Sequence, residues 1–278
     1  MKALRNFWRR FRRNHAAAGA AVVLAVVVLV AVLGPLVYAT SPFDMVGAPY
    51  SLPFGEFPLG TDVSGRDILA GIVHGAGVSL LIGVISALTA TTLGIAVGAL
   101  AGYYGGVIDD VLMRMTEFFL TIPSFVLAVV LVAIFSPTVA SVTAAIAIVS
   151  WPSMARLVRG EFIAQRGQLY VQACRALGMR DFEIIVFQVL PNALPPVVVV
   201  ASLTVATAIL TESGLSFLGL SDPNVVTWGY MIGVARTALF VAPWMIAVPG
   251  IAILVTVLAI NLVGEGLNDA LNPALRGR

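Results

Sequence analysis

Tyr170-Val-Gln-Ala-Cys-Arg-Ala-Leu-Gly178, answered further on by Leu190-Pro191-Asn192, interrupts a chain that is otherwise almost unbroken hydrocarbon. It lies in a polar stretch, residues 156–183, that carries Arg156, Arg159, Arg166, Arg175 and Arg180. A polar loop of this length contributes nothing to membrane insertion, so it points to a contact outside the bilayer. On a helix, Tyr170, Ala173, Cys174 and Leu177 fall at i, i+3, i+4 and i+7 and share one face. That face is small and apolar, suited to a groove on another protein. Gln172, Arg175 and Arg180 lie off the stripe, as hydrogen-bonding groups at its rim. Gly178 stands where a helix C-terminus takes a left-handed residue, and Asp181 is placed to cap a second helix starting near Phe182. Leu190-Pro191 and Pro195-Pro196 then mark a turn into the next span. Two short helices with an elbow make a rigid lever. The competing reading is a solvated loop whose arginines set topology and touch anionic lipid.

Composition decides the medium. Of 278 residues, 59% are hydrophobic and 11% charged, with a mean hydropathy of +1.00. A soluble domain carries roughly 25% charged residues, so this chain cannot cover its surface with polar groups. Within a bilayer only helices and closed barrels satisfy their own backbone, and continuous rather than alternating apolar runs favour helices. The class is an all-α polytopic membrane protein. Cys174 is the only cysteine, and the histidines are His15 and His74. That excludes an internal disulfide and leaves no metal-ligand spacing. Lys2 is the only lysine. A phosphate-binding G-x-x-x-x-G-K-[ST] loop needs a lysine after its glycines, so no nucleotide loop of that kind lies here. Nothing points to nucleic acid.

About 20 apolar residues cross a hydrocarbon core of roughly 30 Å. Six stretches qualify: 16–38, 78–103, 111–135, 139–158, 189–211 and 244–263. The basic start and first apolar run also fit a secretory signal, but the run exceeds the roughly 7–15 residue core of one, which favours an uncleaved anchor. Six spans put both termini on one side. If that side is cytoplasmic, it collects Lys2, Arg5, Arg9, Arg10, Arg12, Arg13, Arg114, the five loop arginines, Arg276 and Arg278, leaving only Arg66 and Arg236 outside. The positive-inside rule selects that orientation. Outward segments then cover 39–77 and 212–243. Thr61-Asp62 and Gly65-Arg66-Asp67 predict a capped outward helix. Arg114 and Glu117, at i and i+3, predict a local ion pair. Asp109 and Asp110 read as charges at a helix N-terminus, and Pro123 and Pro152 as fixed kinks, with hinges the other reading. Intramembrane ionisable residues are functional candidates, so Glu212, with Ser213, is a candidate for a substrate path. The other reading makes Glu212 a helix-end residue satisfied by nearby backbone or a partner chain.

The loop resembles the cytoplasmic loop of permease subunits in ATP-binding-cassette importers, whose motif reads Glu-Ala-Ala, three residues, Gly, then Leu-Pro. Pro58-Leu-Gly-Thr-Asp-Val-Ser-Gly-Arg-Asp67, Ala101-Gly-Tyr-Tyr-Gly-Gly106, Ser150-Trp-Pro152, Leu190-Pro-Asn-Ala193, Leu210-Thr-Glu-Ser-Gly-Leu-Ser-Phe-Leu-Gly219 and Asn261-Leu-Val-Gly-Glu-Gly-Leu-Asn-Asp-Ala-Leu-Asn-Pro273 are similar to the second, C-type permease of the dipeptide/oligopeptide/nickel branch. The resemblance covers nearly the whole chain. Gln172 departs from the usual acidic residue and Cys174 from the second alanine. Glu265 and Asn272 stand where aspartate is commoner, and residues 221–227 form a shorter segment. The resemblance implies a type I importer permease fold in a bacterial plasma (inner) membrane. Residues 1–77 form the anchor and outward segment, 78–265 the permease core with its coupling loop at 159–188, and 266–278 a cytoplasmic tail.

It also implies partners: a homologous second permease, two cytoplasmic ATP-binding subunits and an extracytoplasmic solute-binding protein. ATP and magnesium belong to the ATP-binding subunits, with no cofactor and no catalytic residue in this chain. The expected function is half of a translocation pathway for di- and oligopeptides, with the coupling loop receiving the push of ATP hydrolysis. Nickel or another small solute is the alternative cargo. A stand-alone secondary transporter would carry inverted halves with paired broken helices and mid-membrane charges, and the sequence has neither. A cargo-free membrane anchor is the third class.

Overall fold

The computed structural model describes residues 11, 12 and 14–271. Lys2, Arg5, Arg9, Arg10, Arg13, Asn272, Arg276 and Arg278 lie outside the described residues. Those described are almost wholly helical, with no strands beyond two isolated bridges, Met45 to Arg66 and Thr61 to Asp67. Helices α1 (His15–Val37), α2 (Ile68–Tyr104), α3 (Gly106–Thr121), α4 (Ser124–Phe135) and α5 (Val139–Arg166) lead to a short α6 (Leu169–Ala176). Next come α7 (Asp181–Glu183), a π-helical segment (Ile184–Val189), α8 (Leu190–Phe217), α9 (Trp228–Ala235) and α10 (Trp244–Leu271).

Five of these are long and apolar enough to cross a membrane, and α3 with α4 forms a sixth span bent by 85°. The 111–135 stretch is therefore not one straight helix. Ile122 is extended (φ −92°, ψ 129°), as the residue before a proline prefers, and Pro123 has no N–H with which to continue the ladder. The chain ends decide whether the bent pair crosses. Asn14 Nδ2 donates to Asp269 Oδ2 at 3.1 Å, and Phe11 and Ala17 pack with Ala270, so the start of α1 and the end of α10 share one end of the bundle. That requires an even number of crossings, and the bent pair supplies the sixth.

Several expected span limits move, with α8 running on to Phe217 and α10 to Leu271. Helix α2 starts at Ile68, well before residue 78, because Asp67 caps it by accepting from the Leu69 N–H at 2.8 Å. At 1.5 Å per residue, its 37 residues run to about 55 Å, so it projects beyond the hydrocarbon. Helix α5 continues past Val158 to Arg166, which makes the first part of the polar stretch helix rather than loop. The turn expected at Leu190-Pro191 is absent too. Residues from Asp181 to Phe217 make one continuous helix. A proline ring crowds the carbonyl four residues back, and a π-helical turn ahead of Pro191 relieves that crowding.

The centre is the α2–α5 contact. Gly94, Gly98 and Gly102 recur every four residues and so line one face of α2. A Cβ at Gly98 would come within 2.4 Å of the Ala155 carbonyl oxygen and 2.9 Å of the Arg159 nitrogen. In a membrane, where lipid is as apolar as leucine, close backbone approach of this kind is what holds helices together. At the outer end, the Tyr38 hydroxyl donates to the Asp67 carboxylate. That bond, aided by partial burial, pushes the phenol up to about 12. His74 Nε2 meets the Tyr38 carbonyl at 2.9 Å, so α1 is tied to the start of α2.

Candidate functional site

The elbow between α5 and α8 is built from a core-facing side and an open side. Val171 is 0% exposed and packs with Tyr103, Phe162, Ile184 and Val189. Tyr170 and Cys174 lean on the same cluster, half-buried. The Tyr170 hydroxyl donates to Gln165 Oε1 at 3.0 Å and accepts from Asn192 Nδ2 at 3.4 Å. Tyr170 and Cys174 therefore anchor α6 to its own bundle and do not share the outward face with Ala173 and Leu177. The open face is Leu169, Gln172, Ala173, Ala176 and Leu177, at i, i+3, i+4, i+7 and i+8, with Leu169 81% and Leu177 82% exposed. The stripe expected from spacing is thus rotated by one position. Nothing in the α6 segment distinguishes one apolar side from the other until the rest of the bundle takes Val171.

The corner itself is stiff. Gly178 is left-handed (φ +77°). The Met179 N–H donates to the Cys174 carbonyl at 3.1 Å and the Gly178 N–H to that of Arg175 at 3.0 Å, the two bonds of a Schellman ending. Arg180, not Asp181, is the N-cap of α7, and the Glu183 carboxylate accepts from its backbone N–H at 3.2 Å. Asp181, the first helical residue, accepts from the Tyr103 hydroxyl at 2.6 Å. Arg175 is more than a rim group, because its guanidinium lies 5.0 Å from the centre of the Tyr103 ring. Gln172 Nε2 donates to the Gly167 carbonyl at 3.1 Å, capping the end of α5. An ionised glutamate in that place has no proton to give.

The substrate-path candidates fall elsewhere. Glu212 is 3% exposed. Its Oε1 accepts from Thr227 Oγ1 at 2.7 Å and Ser216 Oγ at 2.8 Å, while Oε2 has no partner and packs against Gly229. Thr227 caps α9 by accepting from the Tyr230 N–H at 2.9 Å, and Trp228 reaches α2 through Ser79 Oγ at 3.0 Å. Ser213 Oγ bonds back to the Ile209 carbonyl at 2.8 Å. Glu212 therefore ties α8 to the start of α9, which Trp228 in turn joins to α2, and it lies inside α8 rather than at its end. A charged cleft of about 500 Å³ lies instead between α3 and α5, edged by Asp110, Arg114, Glu117 and Arg156. Across it, Arg159 grips Asp109 with two bonds of 2.5 and 2.6 Å. That is the one ion pair among the described residues. Arg114 and Glu117 do not pair as their spacing suggested. Both are exposed, where solvation and side-chain entropy offset the attraction.

The family described as binding-protein-dependent transport system inner membrane component matches residues 94–277. The chain belongs to that family. The N-terminal TM domain of oligopeptide transport permease C matches residues 3–53. The di/tripeptide transport system permease protein DppC of Pseudomonas aeruginosa is 38% identical over 98% of this chain and 93% of its own. The glutathione transport system permease protein GsiD of Pectobacterium atrosepticum is 38% identical over 98% of this chain and 90% of its own. A chain solved in inward facing conformations of the MetNI methionine ABC transporter superposes with a TM-score of 0.62 at 19% identity, covering 73% of this chain and 96% of that one. The fold is that of a type I importer permease, a multi-pass protein of the inner membrane.

Within this permease, the residues that reading by spacing missed are Val171, Tyr103 and the Asp109–Arg159 pair. Tyr103 and its neighbours stand out in the Ala101–Gly106 motif, but nothing in that motif says what the ring touches. The Glu212 bolt carries a prediction. Glu212→Ala leaves the buried Thr227 and Ser216 hydroxyls without an acceptor and costs about 3 kcal/mol, whereas Glu212→Gln keeps a carbonyl there and costs under about 1 kcal/mol. Thermal unfolding of the purified permease in detergent reads the difference. Equal melting temperatures for the two variants would show that the carboxylate holds nothing.

Proposed function

We propose that this permease forms half of the translocation pathway of an ATP-driven importer of short peptides. A second homologous permease supplies the other half, two cytoplasmic subunits bind and hydrolyse ATP with magnesium, and an extracytoplasmic binding protein delivers cargo. The observation that carries this reading is the open stripe from Leu169 to Leu177, held on a stiff corner whose other side is sunk in the bundle core. An apolar, helical stripe facing water at the arginine-rich end fits a groove on a soluble partner. A corner closed by Schellman bonds and by Tyr103 transmits a push rather than absorbing it. This chain's single lysine follows Met1, which is consistent with ATP bound on other chains. Relatives named for di/tripeptide and for glutathione, itself a tripeptide, favour short peptides over other small solutes.

The test is assembly followed by uptake. Co-expression with candidate ATPase subunits from the same genome is expected to yield a complex that survives detergent extraction. Reconstituted with the binding protein, it is expected to accumulate labelled di- and tripeptides only when ATP is supplied. Accumulation without ATP, or failure of any ATPase subunit to copurify, would overturn the proposal.

A further inference from the structure

The two arms of the elbow meet on one side chain of α2. Tyr103 is 3% exposed, in the last turn of that helix. Its hydroxyl reaches Asp181 at the start of α7, and its ring lies under Arg175 at the end of α6. Gly178, where the chain reverses, sits between these two contacts. No other α2 side chain among the described residues hydrogen-bonds to α6 or α7. The rest of the contact is apolar packing of Tyr103 and Ala99 against Val171, Ile184 and Ile185. Apolar packing is non-directional and lets surfaces slide. A 2.6 Å bond from a hydroxyl to a carboxylate is charge-assisted and directional.

We infer that Tyr103 is the positioning residue through which displacement of the elbow is passed to α2, and so to the glycine-lined α2–α5 centre of the permease. This rests on the elbow being the ATPase docking site. The hydroxyl makes the corner and α2 move as one body. Without it the elbow still docks, because the Leu169–Leu177 stripe is untouched, but it slips against the helix it is meant to move. Removing the hydroxyl does not threaten the fold. The ring stays in the core, and Asp181 is exposed, so water replaces the lost donor.

The experiment uses the whole complex in proteoliposomes and reads the factor by which the binding protein stimulates ATP hydrolysis. Tyr103→Phe is expected to lower that factor about tenfold, as loss of one hydrogen bond to a charged group implies. The amount of ATPase bound per permease and its unstimulated rate are expected to stay at the wild-type level. Asp181→Asn keeps an acceptor oxygen without the charge and is expected to fall between wild type and Tyr103→Phe. Asp181→Ala is expected to match Tyr103→Phe, with the double variant no worse than either single one, because both remove the same bond. Full stimulation in Tyr103→Phe, or losses that multiply in the double variant, would overturn the inference. A proportional fall of bound ATPase and of both rates would assign Tyr103 a merely structural part and also overturn it. A wild-type complex whose ATPase ignores the binding protein altogether would remove the docking reading first.

Discussion

Leu177→Asp is expected to abolish uptake while the permease still inserts and folds. Leu177 is 82% exposed and makes no core contact, so the isolated chain loses almost nothing when it is replaced. On the proposed docking, the same side chain lies in an apolar stripe packed against an ATP-binding subunit, where a buried, unpaired carboxylate is at its most costly. A residue at the centre of such a contact is worth about 2 kcal/mol or more on truncation, or a roughly thirtyfold loss of affinity. Leu177→Lys separates the contact from the helix end. A cation is favoured and an anion disfavoured at a helix C-terminus, so failure of both variants assigns the loss to the partner surface. Gly178→Ala reaches a similar result by another route. Nothing lies within 4 Å of its added Cβ, but its positive φ costs an L-residue about 1–2 kcal/mol and re-aims the corner. Peptide uptake and ATPase copurification, each normalised to permease in the membrane, are the measurements. Wild-type uptake by Leu177→Asp would rule out docking at this stripe.

Gly98→Leu is expected to prevent assembly of the permease core itself. The backbone of Ala155 and Arg159 lies where the new side chain would begin, and backbone cannot rotate out of the way as a side-chain tip can. Relief requires α2 and α5 to separate along their length, which also opens the contacts at Gly94 and Gly102. Overpacking of an ordinary core costs about 1–3 kcal/mol, and this site lies at the upper end or beyond, with close approach lost in a medium that offers no hydrophobic return. Gly160→Ala is the matched control. It lies in α5, exposed and with nothing within 4 Å, so an alanine there is neutral or slightly stabilising. Yield of monodisperse protein and its melting temperature are expected to collapse for the first and hold for the second. A well-folded Gly98→Leu would show that the two helices are not joined through this face.

Much of the elbow was legible because its signals are local. Gly178 was placed as a left-handed cap from its position after an apolar helical run, and that depends on neighbouring residues alone. Asp67 heads α2 for the same reason. What went astray depended on distant parts of the chain. Asp181 is drawn to Tyr103, far back in sequence, and so leaves the cap to Arg180. Arg114 and Glu117 have the right spacing to pair, but solvent competes successfully for both, while Asp109 finds Arg159 on another helix.

Hydropathy, arginine placement and the order of motifs determined by themselves that this protein is a bundle of membrane-crossing helices with an inward-projecting elbow. Those properties follow from transfer free energies and short-range backbone preferences, which each segment carries alone. Which side of α6 faces the bundle and what Glu212 bonds to were decided only when the helices packed. Val171 and Ala173 are both small and apolar, and only the cavity left between α2, α5 and α8 distinguishes them. A side chain's partner across the fold is a property of three-dimensional proximity, and no local pattern encodes it.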